Sequence, residues 1–324
     1  MKIAIFIPYF TPPSGELPNY FEYWQKSAAA NDKIDFFIPS NVDSSKYVQY
    51  DNIHFIAMSV NEFWDKVQAL VGFDIVRGYY KICEYRPLCG LLFKDMLNDY
   101  DYWGFGDLDV IYGDILKFIQ PFLDCGEEVI GKFGHLQIIK NTDKLRMMPF
   151  ENVRQIKHPL NMKEAFSTKR CCGWDESAGM GVRYYQAGIK VVPLNPIVAD
   201  VNRRYKYFWV NGKEGKWGFS WQDGTLTGYN DKDERADFLY AHFQKRALSV
   251  ANGDIPDSKF CVIPNSFLNG CDYSPEIKPG TTLYTLKYRI NTFKRLIKDQ
   301  IESSLGLKIA RWETIRYRIK HGLL

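Results

Sequence analysis

The N-terminal third of the chain alternates short apolar runs with amphipathic stretches. Ile3–Ile7 is a continuous apolar run that Pro8 ends, and it predicts a buried, parallel first strand. A helix-compatible stretch follows over Asn19–Ala30. Ile34–Ile38 predicts a second strand stopped by Pro39, and Ile53–Met58 predicts a third. Asn61–Leu70 has helical spacing with Ser59 or Asn61 as its cap, and Leu88–Leu97 reads as helix with Pro87 near its first turn. Tyr102–Phe105 predicts the next strand.

Strand and helix in alternation imply an α/β fold with a parallel, doubly wound sheet. Such a sheet binds ligands at the carboxyl ends of its strands. After about residue 125 the pattern shortens. Glu127–Ile130, Leu136–Ile139, Val191–Val192 and Phe238–Phe243 read as strands, and 164–188 as loop then helix. Residues 205–230 alternate aromatics with Gly-rich turns, as in an antiparallel hairpin or meander. The organisation expected is a Rossmann-like half over 1–125, a half over 126–280 that completes the same domain, and a C-terminal tail over 281–324.

The total formal charge of +4 hides an uneven distribution. Residues 281–324 hold ten Lys or Arg against three acidic residues, a net of +7, which leaves −3 for residues 1–280. The tail places apolar residues such as Ile309, Trp312, Ile315 and Ile319 near helical spacing. It reads as a basic amphipathic helix, either closing the domain or docking on an anionic membrane face. No apolar stretch approaches the length of a membrane span. The N-terminus lacks signal-peptide features, and the seven cysteines show no framework spacing. The expected location is the cytosol, with attachment at the inner membrane face through the tail. Nucleic acid is not an expected partner.

The sharpest chemistry lies in residues 95–114, which hold six Asp and no Lys or Arg. Asp107-Leu108-Asp109 follows the aromatic strand Tyr102–Gly106. Residues two apart on a strand face the same way, so both carboxylates address one site. There they suit Mn²⁺ or Mg²⁺, hard cations shared with a substrate's phosphates. The alternative is a surface acidic turn. Tyr9 and Thr11, at the carboxyl end of the first strand, stand where such a sheet holds a nucleotide. Tyr9 would stack on its base or pack in the core. Arg86 and Lys81 would reach a diphosphate or form surface salt bridges. Trp209, Trp217 and Trp221 suit a sugar-binding wall or cross-strand pairs.

Lys81–Pro87, Tyr100–Asp114, Gly134-His135, Asp175-Glu176 and Tyr240–Arg246 together resemble a family of bacterial proteins from capsular and exopolysaccharide gene clusters. These are regarded as glycosyltransferases of the GT-A fold, and the resemblance runs over residues 1–250. It implies metal-dependent transfer from a nucleotide diphosphate sugar, a UDP-sugar foremost, to a saccharide acceptor, lipid-linked at the membrane face. Asp107 and Asp109 would be its DxD pair, with Asp107 also near the donor. His242 with Lys245 and Arg246 is similar to the late His and nearby Lys of retaining transferases typified by glycogenin. There the His completes the metal site and the Lys meets the phosphates. Asp175 or Glu176 would deprotonate the acceptor in an inverting enzyme or orient sugar hydroxyls in a retaining one. A sugar-nucleotide nucleotidyltransferase is a second reading. It fits less well, because the loop after the first strand carries no Lys or Arg. A carbohydrate-binding scaffold at the membrane is a third, and it leaves the acidic strand end unexplained.

Overall fold

The computed structural model describes residues 1–270. It excludes 13–14, 154–160, 196, 202–208, 211–212, 215–216, 245–247, 252, 254, 256–257 and 264–265. The basic tail, Lys245 and Arg246 therefore lie outside the described residues.

The first nine strands are β1 (Ile3–Phe6), β2 (Ile34–Ser40), β3 (Ile53–Ala57), β4 (Tyr102–Gly106), β5 (Val110–Tyr112), β6 (Val129–Phe133), β7 (Leu136–Lys140), β8 (Val191–Val192) and β9 (Val198–Asp200). Seven of them form one mixed sheet in the order β3-β2-β1-β4-β7-β6-β8. β1, β2, β3 and β4 run parallel, and β7 joins β4 antiparallel. The expected α/β class is what the chain adopts. The sheet also crosses the division expected near residue 125, since β6 to β8 extend it.

Helix α1 (Phe21–Ala29) lays Phe21, Trp24 and Ala28 on one sheet face, beside Ile3, Ile5, Ile34 and Phe36. Helix α2 (Val60–Val71) lays Phe63, Trp64 and Val67 on the other, beside Ala4, Phe6 and Phe37. β1 therefore alternates its side chains between two cores, which is why its sequence is apolar throughout. Ser59 caps α2 in a reciprocal capping box with Glu62.

Several predicted elements differ in form. β2 continues through Pro39 to Ser40, because the Pro39 carbonyl still accepts from Tyr9 N at 3.0 Å. The helix expected over Leu88–Leu97 is a series of short turns around α3 (Ile82–Tyr85) and α4 (Cys89–Leu92). Trp103 comes so close to Gly90 that a Cβ there would meet its ring at 2.4 Å.

The remaining strands are β10 (Trp209–Val210), β11 (Lys213–Glu214), β12 (Gly218–Gln222), β13 (Thr225–Tyr229), β14 (Arg235–Phe238), β15 (Tyr240–His242), β16 (Ser249–Val250), β17 (Lys259–Ile263) and β18 (Ser266–Asn269). Six form a second sheet, β14-β13-β12-β17-β18-β16. The expected hairpin is present as β12 and β13. They close on Asp223-Gly224, both with positive φ (46° and 84°), as a two-residue turn of this twist requires. Trp217 and Trp221 are each 3% exposed. They belong to the core beneath this sheet and form no accessible sugar-binding wall. The side chain of Trp209 lies outside the described residues.

The single strand expected over Phe238–Phe243 is two. At Leu239 the chain leaves the second sheet, and β15 enters a small third sheet, β5-β15-β9. The crossing is held by Leu239 N donating to Ile197 O and Gly113 N donating to Leu239 O, both at 2.8 Å.

β4 can lie against β7 only because Gly104 has no side chain, since a Cβ would sit 2.1 Å from the Gln137 carbonyl oxygen. We expect Gly104→Ala to destabilise the fold by about 1–3 kcal/mol. A lower urea midpoint at unchanged m-value measures it.

Candidate metal and donor site

β4 ends at Gly106, and the chain turns through Asp107, Leu108 and Asp109 into β5. The two carboxylates thus stand on a bend, with Leu108 buried between them. They lie at the carboxyl end of β4, next to β1. Between these strands the sheet's strand order reverses, which leaves a crevice in such folds.

β15 brings His242 to the same place. It is the central strand of the small sheet, with His242 opposite Val110 of β5 and opposite Asp200 of β9. Phe243 N donates to Asp109 O at 2.9 Å. The backbone ladder thus sets His242 beside Asp109, with Nε2 3.6 Å from Asp109 Oδ1. Asp107, Asp109 and His242 each offer one ligand atom, all within 4.8 Å of one another. Two carboxylates and one imidazole form a mainly hard donor set, and it fits Mn²⁺ or Mg²⁺ with positions left for a substrate. Burial disfavours the charged His242 ring, but Asp109 and Asp200 outweigh it and raise its pKa.

Arg86 does not reach outward. It is 4% exposed, and its guanidinium forks between two carboxylates. Nη1 donates to Asp107 Oδ1 and, at 2.8 Å, to the Gly106 carbonyl. Nη2 donates to Asp175 Oδ2. Although burial works against its charge, Asp107 and Asp175 hold Arg86 firmly protonated. Burial pushes the Asp175 carboxyl up to about 7, against the pull of Arg86. Asp175 is itself 4% exposed, whereas Glu176 is half-buried.

Lys81 is equally internal. Its Nζ donates to Glu84 and to the carbonyls of Ala165 and Arg170, at 2.7 and 2.8 Å. Glu84 in turn accepts from Cys172 N and from Gly173 N, the latter at 2.9 Å. This pair ties down the loop that carries Asp175 and Glu176. The surface salt bridges allowed for Lys81 and Arg86 are thus buried ones.

Tyr9 is half-buried. Burial raises its pKa, and the charge of Asp109 adds to the rise, which sets Tyr9 within the field of the acidic pair. Thr11 is 5% exposed, and its hydroxyl is spent on the Gly15 carbonyl at 3.1 Å. Asn41 braces the same loop through both backbone groups of Thr11, at 2.9 and 2.8 Å.

Three residues of the site carry little sequence signal. His135, on the turn between β6 and β7, stacks on His242 with ring centroids 4.1 Å apart and planes 21° apart. Its Nδ1 lies 2.6 Å from Tyr240 Oη. Burial holds His135 well below the ordinary imidazole range, with His242 and Arg86 adding to this, so it is a neutral ring. Asp200 and Gln244 meet His242 from the other side. Asp200 has no sequence pointer, and the other two are marked by the Tyr240–Arg246 stretch, which contains Gln244, and by Gly134-His135. Gly134 is required there, because a Cβ would meet Asp175 Oδ2 at 2.3 Å and Arg86 Nη2 at 2.9 Å.

A family of unknown function, DUF6625, matches residues 5–270. The chain belongs to that family. The DUF6625 match takes in every residue of this site and stops short of the basic tail. No curated protein matches the chain. Among solved structures, the chain is similar to mouse xyloside xylosyltransferase 1 in its apo form. The identity is 9%, the match covers 63% of this chain and 89% of that one, and the TM-score is 0.40. It is also similar to an active-site mutant of LgtC (13% identity, 75% and 88% covered, TM-score 0.37). A third similar structure is the galactosyltransferase LgtC in complex with donor and acceptor sugar analogs (11% identity, 75% and 88% covered, TM-score 0.35).

Removing one partner of a buried charge network leaves the others uncompensated. We expect Arg86→Met to cost about 3–5 kcal/mol and to lower Tm by roughly 10 °C. Gly134→Ala should destabilise in the same direction by displacing the Arg86–Asp175 contact. Thermal unfolding followed by circular dichroism reads both.

Proposed function

We propose that this chain is a glycosyltransferase of the GT-A type. It would move a sugar from a nucleoside diphosphate donor to a saccharide acceptor, with Mn²⁺ or Mg²⁺ held by Asp107, Asp109 and His242. The observation that carries this reading is the meeting of those three ligands at the carboxyl ends of β1 and β4. A bound divalent ion would there supply charge neutralisation for a leaving diphosphate.

The residues around it have separable tasks. Arg86 positions Asp107 and neutralises part of the acidic cluster, so it acts on the donor through Asp107. Tyr9 offers a ring to the base beside Asp109. Lys245 and Arg246, three and four residues after His242 in the sequence, are our candidates for the diphosphate. Asp175, paired with Arg86, serves as the anchor of that guanidinium. Glu176 is the better placed of the two acids to meet an acceptor hydroxyl. The acceptor, in this reading, is lipid-linked and belongs to a surface polysaccharide, and residues 281–324 hold the enzyme at the membrane that carries it. Among the described residues no helix is long and apolar enough to cross a membrane.

The test is donor turnover across a panel of nucleotide sugars, with UDP-sugars first, in the presence and absence of Mn²⁺. We expect turnover to require the metal. We expect Asp109→Asn to lower it by at least about 100-fold, as loss of a group that stabilises the transition state electrostatically does. Undiminished Asp109→Asn turnover would overturn the metal assignment.

A further inference from the structure

We infer that Asp200 is a positioning residue that fixes His242 in the tautomer whose Nε2 faces Asp107 and Asp109. This deepens the proposed function and rests on its metal site. His242 Nδ1 lies 3.0 Å from Asp200 Oδ1. A carboxylate only accepts, so the proton in that contact belongs to the ring nitrogen. A neutral imidazole carries one N–H, so its lone pair is then on Nε2. That atom is the one 3.6 Å from Asp109 Oδ1.

The surroundings leave His242 little alternative. Asp200 Oδ1 also accepts from Gln244 Nε2 at 2.7 Å, which pins the carboxylate. The parallel pairing of β9 with β15 sets Asp200 directly across from His242. On one ring face His135 stacks at 4.1 Å, so the imidazole plane is set as well as its edge. His135, Asp200 and His242 also bring ligand atoms within 4.8 Å of one another. His135 Nδ1 is engaged by Tyr240, however, and near-parallel stacked rings aim poorly at a common ion. The group thus orients His242 instead of forming a second centre. Carboxylates that accept from the far nitrogen of a ligating histidine raise its basicity and fix its orientation, and their loss typically costs metal affinity 10–100-fold.

The experiment uses the full chain and Mn²⁺ alone, with free Mn²⁺ followed by electron paramagnetic resonance. Asp200→Ala should weaken Mn²⁺ binding by at least about tenfold. Asp200→Asn should weaken it less, because two donors converge on this position and would draw in the amide oxygen. The second readout is the tautomer itself. The chain has five histidines, so selective ¹⁵N labelling gives a short spectrum, assigned with His242→Gln. Without metal, at an alkaline pH above which the ring shifts no longer change and the ring is neutral despite its raised pKa, His242 should carry its proton on Nδ1. Asp200→Asn should keep that signature, and Asp200→Ala should move the proton to Nε2. A merely structural role would not move this signal. Unchanged affinity or an unchanged tautomer in a folded Asp200→Ala protein would overturn the inference and leave the metal site standing. If the unaltered chain fails to bind Mn²⁺, both fall together.

Discussion

One buried guanidinium joins the parts from which the site is made. Arg86 sits beneath the end of β4, and its fork reaches Asp107 on one side and Asp175 on the other. A guanidinium suits this place because its donors are rigid and splayed, and because it keeps its charge when desolvated. Two carboxylates drawn into the protein would otherwise repel each other and take up protons. Arg86 between them offsets that repulsion, and Asp107 keeps an exposed side toward the crevice. Gly134 belongs to the same constraint, since only a residue without a side chain leaves room for the contact. Lys81 and Glu84 repeat the device one turn earlier and hold the loop that delivers Asp175.

A second constraint is the register of the small sheet. Its three strands come from residues 110–112, 198–200 and 240–242. None has more than three residues, and a ladder that short is stable only inside a larger packed body. The second sheet supplies that body through β14, which feeds directly into β15 across Leu239. The described aromatic residues of this segment therefore have a structural use. Trp217 and Trp221 fill the core under this junction, and Trp221 Nε1 donates to the Tyr112 carbonyl at 3.0 Å.

How much of the site was legible depended on the distance over which each fact is encoded. Asp107-Leu108-Asp109 follows an apolar strand in an alternating α/β pattern, so its place at a strand end could be read locally. That the triplet forms a bend, and that Leu108 is its buried pivot, could not. His242 was noticeable because Lys245 and Arg246 follow it. Asp200 had no such company, and its role exists only because β9 pairs with β15. Arg86 and Lys81 looked like surface cations or phosphate ligands, because a charged residue in a sequence carries no mark of burial.

The sequence by itself determined the alternation of strands and helices, a helix cap at Ser59 or Asn61, a Gly-rich hairpin or meander within residues 205–230 and the acidic strand end. Each follows from spacing within a dozen residues, where backbone preference and side-chain periodicity act directly. Only the tertiary structure decided which carboxylates Arg86 joins, which imidazole edge faces Asp109 and which aromatics are core. Those outcomes depend on segments from 21 to more than 100 residues apart meeting in one register. Register is set by the packing of whole sheet faces, and short strands carry too few residues to specify it alone.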